Sequence, residues 1–254
     1  MPQRLDLVIP VYNEGRNIVQ VLGALRREVK TPPRVLICYD MPEDDTLPAI
    51  RAHPELIGAL NIEFVRNRGR GAHGAVLTGL GASTAAFVVV YPADDDFNAG
   101  ILDRMAAVAE SGCDIVCASR FIPGGSMVGC PWHKAVLVHT ASFTLHHLAR
   151  LPARDATSGF RLFSRRAIDN IVIESDQGFA YSIELLVKAH RLGWRIGEVP
   201  AQWIERKAGQ SRFRVLRWLP AYLRWYFYAF ATTWLRRGPR TVPMKAIERS
   251  RGSA

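Results

Sequence analysis

Three consecutive carboxylates follow an apolar stretch near the middle of the chain. Residues 87–91 are mostly β-branched and have no polar face, which is typical of a central parallel strand covered on both sides. Asp94, Asp95 and Asp96 are therefore expected at the carboxyl end of a strand, where open α/β sheets bind ligands. Three adjacent negative charges repel one another, so a positive group is expected beside them. Such oxygen ligands suit Mg²⁺ or Mn²⁺ shared with phosphates, which predicts a nucleotide diphosphate as second occupant.

The same residues have a simpler interpretation. Asp96 or Asn98 could cap a helix that begins near residue 100, with the other aspartates favoured by the positive end of its dipole. A capping role needs only one of the three carboxylates. The motifs in the rest of the chain distinguish the metal site from the helix cap.

The elements around this stretch alternate between strands and helices. Strands are predicted at residues 5–11, 34–39, 62–65, 87–91, 113–118, 195–199 and 202–204. Helices are predicted after an Asn13 N-cap and near residues 71–80, 101–110, 134–148 and 181–190. Strands separated by helical segments predict a doubly wound, mainly parallel α/β sheet.

The position of the positive charges and the spacing of the cysteines limit which classes of protein fit the chain. The chain has a formal net charge of +10, and residues 205–254 hold twelve Lys/Arg against two Glu, so the rest is balanced. Four cysteines lack the paired spacing of a zinc site and the density of a disulfide scaffold, so they are expected to be reduced and buried. The first predicted strand begins at residue 5 with no apolar leader before it, which predicts a cytoplasmic location.

The basic end is also aromatic. Residues 213–237 hold nine aromatic side chains, and a helical wheel groups these apolar residues on one face: Leu216, Leu219, Leu223, Tyr226, Phe227, Phe230 and Trp234. Arginines lie opposite, with Trp218 and Trp225 beside them, which favours helices lying in a membrane interface, peripheral rather than spanning. Packing on the sheet is the alternative. Pro220 is expected to divide the segment into two helices, and residues 238–254 are expected to form a disordered basic tail.

Several motifs in order carry a family resemblance. They are IPVYNE at residues 9–14, SRF at 119–121, DATSGFR at 155–161 and ERKAGQSR at 205–212. The first resembles the start of inverting family 2 glycosyltransferases with the GT-A fold, and the others resemble the dolichol-phosphate mannose synthase group. The resemblance covers about residues 5–215. It implies a catalytic domain at residues 1–212, and the residue pattern predicts the interface helices at 213–237 and the tail at 238–254.

The resemblance assigns roles to particular residues. It implies a donor site for the nucleotide sugar formed by Pro10, Tyr12, Glu14, Asp40, Arg70, Asp94 and Asp95. A divalent cation, Mg²⁺ or Mn²⁺, would lie on Asp94 and Asp96. The acceptor phosphate would face Arg120, Lys134, Ser158, Arg206 and Arg212. Asp94, Asp96 and Arg206 are the residues implied to be catalytic.

Three departures from the family pattern matter. Pro92 stands where the family commonly has the first aspartate of its metal signature, which leaves Asp95 or Asp96 to compensate. After the second strand, the family usually has a pair of aspartates and a Gly-Ser turn, whereas this chain has Tyr39-Asp40-Met41-Pro42, which leaves the donor base open between GDP and UDP sugars. Arg212 stands where lysine is usual, and the two bind phosphate with different geometry.

The expected reaction moves a hexose, mannose or glucose, from a nucleotide sugar to a polyprenyl phosphate. A lipid phosphate has a second pKa near ~6, so it is ionised at neutral pH and needs no general base. If the acceptor is instead a carbohydrate or small-molecule hydroxyl, a carboxylate must take its proton, and Asp155 is the candidate. Asp155 could equally be a turn residue. A nucleic-acid-binding protein would explain residues 205–254, but Asp94–Asp96 would repel a polyanion.

Overall fold

The structure is a computed structural model that describes residues 4–31, 33–205 and 215–246, with side chains in the last helix described from Leu219 onward. The strands of this part of the chain are β1 (Leu5–Val11), β2 (Arg34–Tyr39), β3 (Ile62–Arg66), β4 (Phe87–Val90), β5 (Ile115–Ser119), β6 (Ser126–Val128), β7 (Arg161–Ser164), β8 (Ile196–Pro200) and β9 (Gln202–Ile204). The helices are α1 (Gly15–Glu28), α2 (Thr46–Arg51), α3 (Pro54–Ala59), α4 (Gly71–Ala82), α5 (Leu102–Glu110), α6 (Trp132–His147), α7 (Arg165–Asn170), α8 (Ala180–Arg191) and α9 (Val215–Trp234).

Seven strands form one sheet in the order β3-β2-β1-β4-β7-β5-β8. β7 runs antiparallel to both β4 and β5, and the other neighbours are parallel. β6 and β9 form a separate parallel pair. The predicted doubly wound, mainly parallel sheet is therefore confirmed. β7, a four-residue strand that directly follows a polar turn, is the strand of this sheet that the sequence pattern did not predict.

Helices cover both faces of the sheet, which explains the continuous apolar runs. On one face, α1, α2, α3 and α5 pack against alternate strand residues such as Leu7 and Ile9. On the other face, α4, α6, α7, α8 and α9 pack against the intervening residues, such as Val8. Because every residue from Leu5 to Ile9 is 1% exposed or less, this part of β1 has no face open to solvent.

The basic, aromatic segment folds differently from the prediction. It forms a single helix, α9, that continues through Pro220, so the expected division into two helices is wrong. Pro220 removes one hydrogen bond near the start of the helix, whereas packing against α8 supports the residues that follow. Trp225, predicted to lie beside the basic face, is 1% exposed and buried with Ala229. Among the helices described, none is both long enough and apolar enough to span a membrane.

Residues after α9 return to the body of the protein. The backbone of Lys245 donates to Asn170 O at 2.8 Å, and its Nζ donates to Ile168 O at 2.8 Å. Arg191 of α8 binds Tyr228 O of α9 and Thr241 Oγ1 of this returning segment. A disordered tail from residue 238 is therefore wrong for residues 239–245, and residues 247–254 lie outside the described part of the chain.

The four cysteines are free thiols. Cys38, Cys113 and Cys117 are buried, as expected for small apolar residues of a core. Cys130 is partly exposed in the loop after β6, so the expectation that all four are buried is wrong for this residue.

Candidate active site

The candidate site lies at the carboxyl edge of the large sheet. The parallel register pairs Val11 with Tyr39 and Val8 with Val90, so β1, β2 and β4 end side by side. Their following residues include Tyr12, Asp40 and the three aspartates. β7 enters the sheet at the same edge, because its first residue, Arg161, pairs with Val90 at the end of β4 and with Cys117 near the end of β5. The sheet order thus brings the loops after β1, β2, β4 and β5 and the turn before β7 to one side of the molecule.

The three aspartates after β4 have different environments. Asp95 is 7% exposed and accepts hydrogen bonds from the backbone of Phe97 at 3.3 Å and Asn98 at 2.9 Å. Burial raises the pKa of its carboxyl to about 6. Asp94 is partly buried, whereas Asp96 is exposed. Asp95 closes the turn and faces the interior, which argues against its predicted contact with the nucleotide sugar. Asp94 and Asp96 are therefore the aspartates of this turn that are not buried.

The amino terminus of α1 is closed by the turn that follows β2. Three side chains of this turn accept its first N–H groups: Asn13 N to Asp44 Oδ1 at 3.1 Å, Glu14 N to Thr46 Oγ1 at 2.9 Å and Gly15 N to Asp45 Oδ1 at 2.9 Å. Asn13 has a φ of 53°, and the N-cap is Glu14. The predicted Asn13 cap is therefore wrong, because long-range partners satisfy the donors that a local cap would bind.

The other predicted nucleoside contacts lie along β1 and its loop. Pro10 is partly buried near the end of β1, where it pairs with Cys38. Tyr12 is 43% exposed, and Glu14 Oε2 accepts a hydrogen bond from Asn17 Nδ2 at 2.7 Å. These side chains share the edge with Asp40, and their contact with a nucleoside stays a prediction.

Asp40 organises the start of α4. Its carboxylate accepts Asn67 Nδ2 at 2.5 Å and the backbone N–H of Gly71 at 3.0 Å. Gly71 has a φ of 62°, a conformation that glycine adopts without strain. Arg70 precedes it, is exposed, and lines a groove of about 660 Å³ with Arg68. Asp40 thus fixes the loop that presents both arginines.

A buried ion pair joins the end of β5 to the turn before β7. Asp155 is fully buried and accepts five hydrogen bonds, three of them from Arg120: its backbone N at 3.0 Å, Nε at 2.7 Å and a terminal nitrogen at 2.8 Å. The other two come from Thr157 Oγ1 and Ser158 N, both at 3.1 Å. Although burial alone would raise it, the pKa of the Asp155 carboxyl is lowered by Arg120. Asp155 is therefore the charged partner of Arg120 at neutral pH.

The acceptor residues implied by the resemblance are only partly described. Arg120 and Ser158 lie together at the edge through Asp155. Lys134, in the first turn of α6, lies 3.7 Å from Glu205 Oε1. Arg206 and Arg212 lie outside the described residues.

Two further residues of the site were not assigned a role from the sequence. Thr157 Oγ1 accepts a hydrogen bond from a terminal nitrogen of Arg120 at 2.7 Å. Glu198 of β8 accepts the backbone N–H groups of Arg154 and Asp155 at 2.9 and 3.1 Å. Thr157 stands inside the DATSGFR motif, which offered a signal. Glu198 offered none, because it is separated from its partners by more than forty residues.

The carboxylates present fit a divalent cation shared with a ligand. In the described part of the chain, no group of three or more His, Cys, Asp or Glu side chains could enclose a metal ion. Two accessible carboxylates at a strand end are nevertheless the donor set that Mg²⁺ uses when phosphates complete its coordination. Asp94 and Asp96 would hold such an ion. The edge therefore combines carboxylates at β4 with an arginine at β5, which suits a reaction between two phosphate-bearing molecules.

Sequence comparison identifies the class. Residues 6–172 match the model of Glycosyl transferase family 2, and the chain belongs to this family. It is thus a glycosyltransferase, as the resemblance implied. It is 30% identical over 218 residues to an undecaprenyl-phosphate mannosyltransferase of Micrococcus luteus, covering 82% of this chain and 87% of the relative. It is 26% identical over 226 residues to a polyprenol monophosphomannose synthase of Mycolicibacterium smegmatis, covering 83% and 81%.

Solved structures share the GT-A fold. Glucosyl-3-phosphoglycerate synthase of Mycobacterium tuberculosis, crystallised with Mn²⁺, UDP-glucose and glycerol 3-phosphate, superposes with a TM-score of 0.63 at 17% identity, covering 91% of this chain and 79% of that chain. The same enzyme with Mg²⁺ and UDP gives a TM-score of 0.62 at 17% identity, with the same coverage. The predicted GT-A fold is therefore confirmed.

Proposed function

We propose that this protein transfers a hexose from a nucleotide sugar to a polyprenyl phosphate and inverts the anomeric configuration. The observation that carries the proposal is that one sheet edge holds both Asp94 and Asp96 after β4 and, after β5, Arg120 in its ion pair with Asp155. Two relatives that align over more than four fifths of the chain are named for mannosyl transfer to such lipids, which supports mannose.

The donor would bind at the β1, β2 and β4 side of the edge. Asp94 and Asp96 would hold Mg²⁺ or Mn²⁺ against the diphosphate, and the ion would stabilise the negative charge that develops on the leaving group. Tyr12, Glu14 and Asp40 line the neighbouring loops and would contact the nucleoside of a GDP or UDP sugar. The exposed arginine at position 70 would add positive charge on the α4 side.

The acceptor would bind at the β5 and β7 side. Its phosphate oxygen is already ionised near neutral pH, so it can attack the anomeric carbon without losing a proton. Asp155, the base that a hydroxyl acceptor would need, is fully buried against Arg120. The burial of this carboxylate favours the phosphate acceptor. The residues that would receive the phosphate are Arg120, Lys134, Ser158, Arg206 and Arg212.

An apolar surface on α6 and α9 supports peripheral contact with a membrane. Its large exposed side chains are Trp132 (78%), Phe143 (60%), Phe227 (63%) and Trp234 (68%). The two helices are tied together by a 2.8 Å hydrogen bond between Thr144 and Tyr226. Exposed arginines at positions 236 and 237 would bind anionic headgroups. This surface would hold the enzyme where its lipid acceptor is found.

Vesicle sedimentation tests the membrane surface. We expect Phe227→Glu or Phe143→Glu to weaken binding to anionic vesicles by about tenfold or more. Each variant puts a negatively charged side chain where an aromatic one would enter the bilayer. Gln20→Glu adds the same charge on exposed α1, across the sheet, and is expected to bind like wild type. Equal weakening by Gln20→Glu would contradict the assignment.

A transfer assay tests the reaction. Radiolabelled GDP and UDP hexoses are incubated with polyprenyl phosphate and Mn²⁺, and label is counted in the organic phase. We expect one donor to label the lipid, and Asp94→Asn or Asp96→Asn to lower the rate at least about 100-fold, because either change removes a charged ligand of the cation. Asp169→Asn, a change of the same type on exposed α7, is expected to leave the rate unchanged. Label that enters only water-soluble acceptors would reject the lipid assignment and retain the glycosyltransferase.

A further inference from the structure

The side chain of Asn98 connects the aspartate turn to β9. It is 2% exposed, and its Nδ2 donates to Asp95 Oδ2 at 2.7 Å and to Gln202 O at 2.7 Å. Its Oδ1 accepts the backbone N–H of Gln202 at 2.9 Å. Both donor hydrogens and the acceptor of the amide are therefore used. The amide pairs with Gln202 as the backbone of a neighbouring strand would.

Asp95, the partner of Asn98, is held on its other side by Tyr91. The Tyr91 hydroxyl donates to Asp95 O at 2.8 Å, and the tyrosine is fully buried. Asp95 is thus fixed through both its carboxylate and its backbone carbonyl. Because Asp94 and Asp96 are its immediate neighbours in sequence, their backbones are fixed with it.

Gln202 offers a rigid point of attachment. β9 follows β8 after one residue, and β8 is hydrogen-bonded to β5 within the large sheet. β9 also pairs with β6 over three residues. Through Asn98, the turn that carries the candidate cation ligands is tied to a strand on the acceptor side of the edge.

We propose that Asn98 is a positioning residue that sets Asp94 and Asp96 for a divalent cation and the donor diphosphate. The inference rests on the proposed function, because it assumes that these carboxylates hold the ion. Mg²⁺ tolerates little departure from octahedral geometry, so the ligands must be held in place. Groups behind metal ligands commonly change metal affinity by about 10–100-fold when they are removed.

The chemistry of the position selects asparagine. Aspartate would set a carboxylate against Asp95 Oδ2 and against the Gln202 carbonyl, with no hydrogen to donate to either. Alanine would leave the Asp95 oxygen and both backbone groups of Gln202 without this partner. Serine can restore one of the hydrogen bonds. The expected order of disturbance is therefore Asn98→Asp, then Asn98→Ala, then Asn98→Ser.

The test compares Asn98 variants with a control variant that also removes a buried, hydrogen-bonded side-chain group. Ser164→Ala removes a buried hydroxyl that caps α7 and donates a hydrogen bond to Asp114. Ser164 is the last residue of β7 and lies at the opposite edge of the sheet from the candidate site. Thermal unfolding gives the stability of each variant. Calorimetric titration with Mn²⁺, in the presence of whichever of GDP or UDP the wild type binds, gives cation affinity, and steady-state assays separate KM for the donor from kcat.

We expect Asn98→Ala to weaken Mn²⁺ binding by about tenfold or more and to raise the donor KM, with Asn98→Ser between it and wild type. Ser164→Ala is expected to lose stability but to bind Mn²⁺ within about twofold of wild type. Asn98→Ala or Asn98→Ser with lowered stability and wild-type Mn²⁺ affinity would overturn the inference alone, provided that Asp96→Asn weakens binding. Failure of the wild type to bind Mn²⁺ with nucleotide would overturn the proposed function as well.

Discussion

Replacing Asp155 by asparagine separates a structural carboxylate from a catalytic base. The new amide would keep one acceptor oxygen and turn its NH₂ group toward donors that now point at a carboxylate. Arg120, whose side chain is 12% exposed, would lose its buried counter-charge. Breaking such a pair costs about 3–5 kcal/mol. For a domain of this size, each kcal/mol lowers the melting temperature by about 2–4 °C, so we expect Asp155→Asn to melt about 6–20 °C below wild type.

The assay combines urea denaturation with kinetics under conditions where the variant is folded. Arg120→Gln and the double variant complete a cycle, and we expect a coupling energy of about 1–3 kcal/mol, because the second change removes a charge that the first left unpaired. The pKa of Asp155 is lowered in the folded state. Its contribution to stability is therefore full above its unfolded pKa of about 3.9 and is lost as the pH falls through the lower folded value. The stability difference between wild type and Asp155→Asn should be constant from about pH 5 to about pH 8 and shrink below about pH 4.

The same structural role makes a prediction about kinetics. Folded Asp155→Asn is expected to keep the wild-type dependence of kcat on pH, because no proton passes through this carboxylate. A variant with wild-type stability whose kcat falls by more than about 100-fold would refute the structural role and restore the hydroxyl acceptor with Asp155 as its base.

Three further outcomes are expected. In urea denaturation, we expect Lys188→Met to lower the free energy of unfolding by about 3–5 kcal/mol, because Lys188 Nζ lies 2.6 Å from Glu184 Oε1 and both side chains are fully buried. The double variant Lys188→Met with Glu184→Gln should recover part of this loss. A Lys188→Met variant as stable as wild type would contradict this prediction. Gly79→Ala should lower the free energy of unfolding by about 1–3 kcal/mol, because the new Cβ would lie 2.7 Å from the buried Cys38 Sγ. Gly81→Ala in the same helix has no atom within 4 Å of its new Cβ and should raise the free energy of unfolding by up to about 1 kcal/mol. Equal effects of the two substitutions would contradict this prediction. Chelation by EDTA should abolish transfer, and added Mn²⁺ or Mg²⁺ should restore it; transfer that persists in EDTA would exclude a required cation.

The parts of the fold that periodicity encodes were predictable from the sequence. β1, β2 and β4 are apolar runs that end in polar turns, and each was placed within a residue or two. β7 was not predictable, because four residues carry little pattern and its antiparallel pairing depends on β4 and β5, both distant in sequence. For α9, a helical wheel identified the apolar residues but could not show that α8 packs over Trp225. Packing between two helices depends on tertiary structure, which the sequence of one helix does not contain.

The site shows the same division. The motif residues Asp94, Asp96, Arg120 and Ser158 do lie at one edge, because the carboxyl ends of neighbouring strands meet there. The local sequence could not show that Asp95 is buried while the aspartates on either side are not, because the three residues are identical. Its orientation depends on the buried Asn98 amide, which in turn depends on Gln202, more than a hundred residues away.

Transfer to a lipid phosphate, and not to a hydroxyl, is tested by comparing three acceptors. The enzyme is given a single labelled donor with polyprenyl phosphate, with the matching polyprenol, which differs only in lacking the phosphate, or with a water-soluble sugar. We expect label in the lipid only when the phosphate is present, with a rate that does not require Asp155 as a base. Equal transfer to polyprenol, or transfer to the sugar alone, would contradict it.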